Sequence, residues 1–144
     1  VQNLITDDKI LAGHDISAGG MLTALLEMAF AETDLGLTID LSNIKGADDV
    51  QLFFSEESGI LVQVAAENLA DVTDALAGVN AVHHVIGNVI GDRMMSVKTA
   101  SSTYMFDIDS LRDTWYKTSY LLDQKQSGTE LATKRFENYK KQAI

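Results

Sequence analysis

The sequence contains no cysteine and no proline among its 144 residues. Without thiols the chain forms no disulfide bond, no thiolate metal site and no cysteine nucleophile, which excludes disulfide-rich secreted modules and cysteine-based zinc modules and favours the cytoplasm. No apolar run approaches the roughly 20 residues that span a bilayer, because Thr23 and Glu27 interrupt even the apolar segment 21–31. We therefore predict a soluble protein with no membrane partner.

Basic residues are scarce in most of the chain. Residues 1–110 contain 4 Lys and Arg against 17 Asp and Glu, whereas residues 111–144 contain 7 against 4. The formal charge of −10 repels phosphate backbones, so we exclude a general nucleic-acid-binding role, although small anions can still bind locally. The change in charge, together with the end of the strand-like pattern, divides the chain into a lobe of residues 1–108 and a helical tail of residues 109–144.

The pattern of apolar residues predicts a mixture of strands and helices. Strands are expected at 10–12, 37–41, 59–64, 82–90, 94–99 and 103–108, and helices at 21–31, 48–54 and 67–77. The last two strands resemble a hairpin, and residues 109–144 have the pattern of two helices separated near Ser127-Gly128. This order, with enough hydrophobic residues to fill a core, predicts an α+β layered sandwich in which helices pack on a mixed β-sheet.

The segment HDISAGG, residues 14–20, places polar groups and two glycines before a predicted helix. A helix N-terminus presents unpaired N–H groups and partial positive charge, so a phosphate can bind there, and Gly19-Gly20 would let it approach the backbone closely. Asp15 would add a hard oxygen ligand for magnesium, and Ser17 would cap the helix or donate to a phosphate oxygen. Ordinary helix capping and a glycine turn explain the same residues without any ligand.

Three further polar positions have simple structural interpretations. His14 is an acid–base candidate, but the sequence offers it no obvious partner, and a hydrogen-bonded structural histidine fits equally. The pair His83-His84 lies in a predicted strand, so the two rings point to opposite faces and cannot share one metal. The pair Glu56-Glu57 is interpreted as a solvated helix end, because adjacent carboxylates rarely converge.

Several motifs together resemble those of one enzyme family. HDISAGGM at 14–21 and LLEMAFA at 25–31 resemble the HD-x-S-x-GG-(L/M) and EMAFA motifs of phosphoribosylformylglycinamidine synthases. LFFSEESG at 52–59, followed by VQV at 62–64, resembles that family's second marker, LF-x-EE-x-G before an IQV-type strand. Weaker matches follow at 87–92 and 111–122, so the resemblance covers most of the chain in the expected order. The match is to the second carboxy-terminal lobe of the synthetase half in the large, single-chain form.

The resemblance implies both a fold and a reaction. The fold is the α+β sandwich of the carboxy-terminal domain of aminoimidazole-ribonucleotide-synthetase-like proteins. The reaction is the ATP- and glutamine-dependent conversion of formylglycinamide ribonucleotide to its amidine in purine biosynthesis, a carbon–nitrogen ligation with glutamine as amido donor. The partners implied are the remaining lobes and the glutaminase domain of the same polypeptide, and the isolated lobe is expected to be inactive.

The resemblance also implies roles for single residues. Asp15 matches a magnesium ligand and Ser17 a contact to ATP or ADP, whereas no catalytic residue falls in the chain. Ala18 and Ile16 differ from the aspartate and the arginine or valine usual at these places, which removes polar contacts there. The alternative from another class is a non-catalytic interaction domain whose glycine loop only caps a helix. Selenophosphate synthetases and hydrogenase-maturation proteins share the superfamily but lack the paired motifs.

Overall fold

The computed structural model describes residues 1–31 and 33–138, which form six strands, six α-helices and one 3-10 helix. The strands are β1 (Ala12–Ile16), β2 (Gly36–Asp40), β3 (Gly59–Gln63), β4 (Gly87–Ile90), β5 (Met94–Lys98) and β6 (Thr103–Asp107). The helices are α1 (Gln2–Thr6), α2 (Gly20–Phe30), α3 (Asp49–Phe54), α4 (Leu69–Gly78), α5 (Ile108–Ser127) and α6 (Thr129–Asn138), and the 3-10 helix is Ala66–Asn68. None of these helices is both long and apolar enough to cross a membrane.

The strands are divided between two sheets. Strands β1 and β3 pair antiparallel as a two-stranded sheet, and the other four strands form a sheet in the order β4-β2-β5-β6. In the larger sheet β2 and β5 run parallel, whereas β2–β4 and β5–β6 are antiparallel. The predicted α+β class, mixed sheet and β5–β6 hairpin are confirmed. The separation of β1 and β3 into a sheet of their own was not indicated by the sequence.

The chain folds as two compact units, each with its own core. The first contains residues 1–28 and 44–86, and the second contains residues 29–43 and the described residues from 87 onwards. Buried side chains of the first unit are Leu4, Leu22, Ala24, Leu25, Phe53, Leu61 and Val72. Those of the second are Ala29, Ile39, Leu41, Met95, Val97, Ile108 and Ala132. Helices α5 and α6 thus belong to the same unit as the four-stranded sheet.

The predicted strand 82–90 is wrong over its first half. Only residues from Gly87 onwards form β4, because its partner β2 offers backbone groups from Gly36, opposite Ile90, to Ile39, opposite Gly87. Val82 is 91% exposed and His84 is also exposed, so neither residue lies in a sheet face. The argument that strand geometry separates the two histidine rings therefore does not apply.

Helices α5 and α6 confirm the two helices expected after the hairpin. Asp107 caps α5, since its carboxylate accepts the N–H of Ser110 at 2.8 Å, and this bond lowers the pKa of Asp107. Gly128, with φ of 84°, separates the helices where the sequence predicted a break. The rings of Tyr120 and Phe136 then pack with centroids 4.7 Å apart. The end of the predicted tail, residues 139–144, lies outside the described residues.

Arg93 is the main polar anchor of the second unit. Its Nη1 donates to the carbonyl oxygens of Ala29, at the end of α2, and Leu35, before β2, both at 2.8 Å. Its Nε donates to Oδ1 of Asp109 at 3.0 Å, and the side chain is only 15% exposed. A cation suits the C-terminal end of a helix, where backbone carbonyls carry partial negative charge. Arg93 therefore fixes the connection between α2 and β2.

Replacing Arg93 by glutamine should lower the free energy of unfolding by about 1–3 kcal/mol, because two backbone carbonyls lose a donor inside a partly buried site. The matched control is Lys98→Gln, which also removes a cation paired to an aspartate at 3.0 Å, but on a side chain that is 57% exposed. That control should leave stability nearly unchanged. Urea unfolding followed by circular dichroism measures both. Equal effects of the two variants would contradict the anchoring role of Arg93.

Candidate functional site

The candidate loop is shorter than the sequence predicted. Strand β1 extends to Ile16, because Asp15 pairs with Ile60 and Ile16 with Gly59 of β3. His14 and Asp15 therefore lie inside a strand, the loop consists of residues 17–19 alone, and α2 begins at Gly20. The predicted strand 10–12 was placed too early. Its true end depends on a partner more than 40 residues away in the sequence, which no local pattern reveals.

Asp15 and Ser17 point away from the protein. The Asp15 side chain is 77% exposed, and Ser17 is also exposed. Among the described residues neither side chain makes a hydrogen bond, so neither caps α2. The capping alternative is therefore wrong for both residues. The Asp15 carboxylate has only a long contact of 3.9 Å to Nδ1 of His14, and both it and the Ser17 hydroxyl are exposed, as a cation and a polar ligand would require.

His14 has the partner that the sequence did not reveal. Its Nδ1 lies 2.7 Å from the backbone oxygen of Asp15, and since a carbonyl only accepts, Nδ1 carries the proton. Its Nε2 lies 3.3 Å from Oε2 of Glu27 on α2. Glu27 stands off the apolar stripe of that helix, which was the one available clue in the sequence. The His14 ring thus lies between the strand and the helix, and its Nε2 pairs with Glu27 only when that nitrogen is also protonated.

The two glycines of the loop are required by backbone geometry. Gly19 and Gly20 have φ of 86° and 71°, in the region that side chains rarely adopt. A Cβ atom on Gly20 would lie 2.5 Å from the oxygen of Phe53 and 2.7 Å from the backbone of Phe54. Helix α2 therefore begins with its backbone directly against the end of α3. The second motif, which contains Phe53 and Phe54, is packed against the first.

The backbone N–H groups of the loop are already occupied. Gly19 donates to Oε1 of Glu56 at 3.0 Å, and Gly20 donates to the oxygen of Ser17 at 3.0 Å. Glu56 is exposed just beyond the end of α3, as expected for a solvated helix end, and its carboxylate in addition binds the loop. A phosphate does not find free amides at this glycine pair as the sequence analysis supposed. The exposed side chains of Asp15 and Ser17 are the remaining candidate ligand groups.

The arrangement offers two exposed polar side chains, Asp15 and Ser17, as candidate ligands. The described residues contain no group of three or more His, Asp or Glu side chains placed to hold a metal ion. Asp15 alone offers one carboxylate, which suits magnesium, an ion that commonly uses one or two protein carboxylates and completes its shell with phosphate oxygens and water. Asp15 therefore fits as one ligand of a metal–nucleotide complex whose remaining contacts would lie outside this chain.

A second polar cluster lies at the ends of the parallel strands β2 and β5. Asp40 accepts hydrogen bonds from the hydroxyl and the N–H of Ser42 and from Nζ of Lys98, and these bonds lower its pKa to about 2. The carboxylate, the hydroxyl and the ammonium group satisfy one another. Because both charged side chains are about half exposed and already paired, the cluster is explained as a surface ion pair.

Substitution of Gly20 by alanine should destabilise the chain by about 2 kcal/mol or more, because the unfavourable φ and the contact with the α3 backbone both count against it. Gly46→Ala is a control for φ alone: its φ is 89°, but its Cβ would meet nothing within 4 Å, so a loss of about 1 kcal/mol is expected. Gly78→Ala, in a helix with open space around it, should cause no loss.

Thermal unfolding of the three glycine variants and the parent chain provides the measurement. The account of the loop fails if Gly20→Ala costs no more than Gly46→Ala, since that result would mean that the backbone of α3 does not press on the start of α2.

Comparison with known proteins shows what the chain as a whole is similar to. The sequence is 37% identical over 127 residues to the probable phosphoribosylformylglycinamidine synthase, chloroplastic/mitochondrial, of Arabidopsis thaliana. That match covers 88% of this chain but only 9% of the plant protein. The chain therefore spans about a tenth of the length of this relative.

Solved structures show the same fold. The chain is similar to T. maritima PurL complexed with ATP, with a TM-score of 0.68 and 16% identity, over 76% of this chain and 20% of that one. It is similar to T. maritima PurL complexed with FGAR with a TM-score of 0.66, again at 16% identity, over 76% and 19% of the two chains. Residues 1–99, more than two thirds of the chain, match the family described as AIR synthase related protein, C-terminal domain. The chain therefore belongs to the AIR synthase related family and contains its C-terminal domain.

Proposed function

We propose that this chain is part of a large phosphoribosylformylglycinamidine synthase, in which it is the second carboxy-terminal lobe of the synthetase half. The observation that carries the proposal is the 37% identity to a protein of that name over 88% of the chain. The activity is the ligation in which ATP, glutamine, water and formylglycinamide ribonucleotide give the amidine, ADP, phosphate and glutamate. ATP activates the amide oxygen by phosphorylation, and ammonia from glutamine then displaces it.

The tail supports the assignment to the large enzyme. A match of 127 residues in a chain of 144 includes residues 18–127 wherever it begins, so it contains nearly all of α5, which ends at Ser127. The family domain itself ends at residue 99. The plant synthase thus resembles this chain beyond the shared domain. We propose that residues 1–108 are the synthetase lobe and that residues 109–144 lead toward a glutaminase domain of the same polypeptide.

Asp15 and Ser17 are the proposed contacts to the nucleotide. Three observations support this: both side chains are exposed, neither is used in a hydrogen bond within the described chain, and one solved relative is T. maritima PurL complexed with ATP. Asp15 would hold magnesium, which when bound shields the negative charge of the phosphates. Ser17 would donate its hydroxyl to the nucleotide. The chain contributes binding and closure over the nucleotide, and the reacting groups lie on other parts of the enzyme.

The compartment remains a separate proposal. We propose the cytoplasm for this protein, as the sequence analysis expected. The Arabidopsis relative, in contrast, is named chloroplastic/mitochondrial. The fold and the candidate nucleotide contacts are the same in either case.

The pure 144-residue chain should show no synthase activity, because the ribonucleotide pocket, most nucleotide contacts and the ammonia source lie on other parts of the proposed enzyme. Glutamine-dependent formation of the amidine, assayed with ATP, magnesium and formylglycinamide ribonucleotide, is the measurement. The full-length polypeptide is the positive control. Turnover by the 144-residue chain alone would refute the proposed division of labour.

Asp15→Asn should separate nucleotide binding from stability. In the 144-residue chain the exposed, unbonded side chain contributes little to folding, so the unfolding midpoint should not change. In the full-length polypeptide, loss of a charged metal ligand should reduce retained magnesium and nucleotide by about tenfold or more. Asp74→Asn, an exposed aspartate on α4, is the control for the change in charge.

The assay denatures each purified full-length protein and quantifies the released ADP, ATP and magnesium. Equal amounts from wild type and Asp15→Asn would reject Asp15 as a ligand and favour the alternative, a domain that binds a partner and no nucleotide.

A further inference from the structure

The loop that carries Ser17, one of the two proposed nucleotide contacts, is held by a side chain from the second motif. Gly19 donates its N–H to Oε1 of Glu56 at 3.0 Å. We propose that Glu56 is a positioning residue, whose carboxylate fixes the loop 17–19 so that Ser17 faces the magnesium–nucleotide complex beside Asp15, which the β1–β3 pairing holds. The proposal rests on the proposed function and adds to it a residue that does not itself touch the ligand.

The loop needs such support because its own contacts are few. Gly19 and Gly20 both have positive φ. Glycine has no side chain that favours one backbone conformation over others, so these residues do not by themselves stabilise this one. Within the loop and its helix, Gly20 donates to the oxygen of Ser17, and the Thr23 hydroxyl donates to the oxygen of Gly19. In residues 1–31 and 33–138, Glu56 is the one side chain from another element recorded as hydrogen-bonded to the loop.

Glu56 is brought to the loop by contacts on both sides of it. Before Glu56, the backbone of Phe53 and Phe54 lies against Gly20, and after it, Gly59 pairs with Ile16 in the two-stranded sheet. Between these two points the chain has only four residues, so Glu56 has little freedom to move away from Gly19. A carboxylate at this end of α2 also faces the positive end of the helix dipole, which favours it electrostatically.

The position of Glu56 also affects which ligand can approach. Its carboxylate takes the Gly19 N–H and places negative charge beside the loop. A bare phosphate would be repelled by this charge, whereas a phosphate already bound to magnesium carries less net negative charge and gains the Asp15 carboxylate as a ligand. The geometry therefore favours a metal-bound nucleotide over a free anion at this loop.

Three variants test the hydrogen bond in the 144-residue chain. Glu56→Ala removes the acceptor, Glu56→Gln keeps an acceptor oxygen at the same reach without the charge, and Glu57→Ala removes the same charge from the exposed neighbour. The readout is hydrogen exchange of the Gly19 amide, measured by NMR. We expect exchange to accelerate about fivefold in Glu56→Ala and about twofold in Glu56→Gln, and to stay unchanged in Glu57→Ala.

Unchanged protection of Gly19 in Glu56→Ala overturns the proposal. If Glu56→Ala does not fold, Glu56→Gln decides instead, because it keeps the shape of the side chain and loses the charge assistance. A twofold acceleration confined to Gly19 and its neighbours supports positioning by the carboxylate, and exchange identical to that of wild type overturns it.

The functional arm uses the full-length polypeptide with MgADP as the probe. Glu56→Ala should weaken MgADP binding about fivefold, Glu56→Gln should restore most of it, and Glu57→Ala should match wild type. Normal MgADP binding by Glu56→Ala overturns the positioning role whatever the other variants do. If Asp15→Asn nevertheless weakens binding, the proposed function stands and only Glu56 has been misassigned. If Asp15→Asn also binds normally, the proposed nucleotide site fails with it.

Discussion

The close approach of Gly20 to the backbone of Phe53 and Phe54 is the constraint on which the first unit depends. A Cβ at Gly20 would lie 2.5 Å from the Phe53 oxygen, so only glycine allows α2 to begin there. Once this contact is made, Glu56 lies within reach of the Gly19 amide, and β3 can start opposite the end of β1. The two glycine-containing motifs pack against each other, because Gly20 of the first lies against the backbone of Phe53 and Phe54 in the second.

Local pattern predicted that most of the strands and helices exist, even where their partners are distant. The alternation in 37–41, the hairpin of β5 and β6 and the short helix α3 were each indicated by residues within a few positions of one another. The bounds of β1 and β4 were misjudged, because they depend on distant partners. The extension of β1 to Ile16 requires β3, and β4 begins only where β2 can pair with it. The division of the strands between two sheets also depends on contacts between distant residues, which the spacing of hydrophobic residues does not reveal.

The candidate site shows the same division. Asp15 and Ser17 were selected from the motif, and the structure leaves both side chains exposed and unbonded within the described chain. The residues that organise the site were missed, because their roles are contacts across the fold. Glu56 was assigned to solvent although it binds Gly19, and Glu27 faces His14. In the second unit Arg93, the only arginine among the first 110 residues, was not selected at all.

The first unit holds one loop in place and leaves two polar side chains, those of Asp15 and Ser17, exposed. Glycine geometry, the Glu56 bond and the β1–β3 pairing hold the loop and the strand before it, while a carboxylate and a hydroxyl remain exposed to a ligand. The most direct test is a crystal structure of the full-length polypeptide with MgATP. The account predicts an Asp15 carboxylate oxygen about 2.1 Å from a magnesium ion that also contacts the phosphates. A fully occupied nucleotide whose magnesium is held by other residues, with Asp15 directed to solvent, would contradict it.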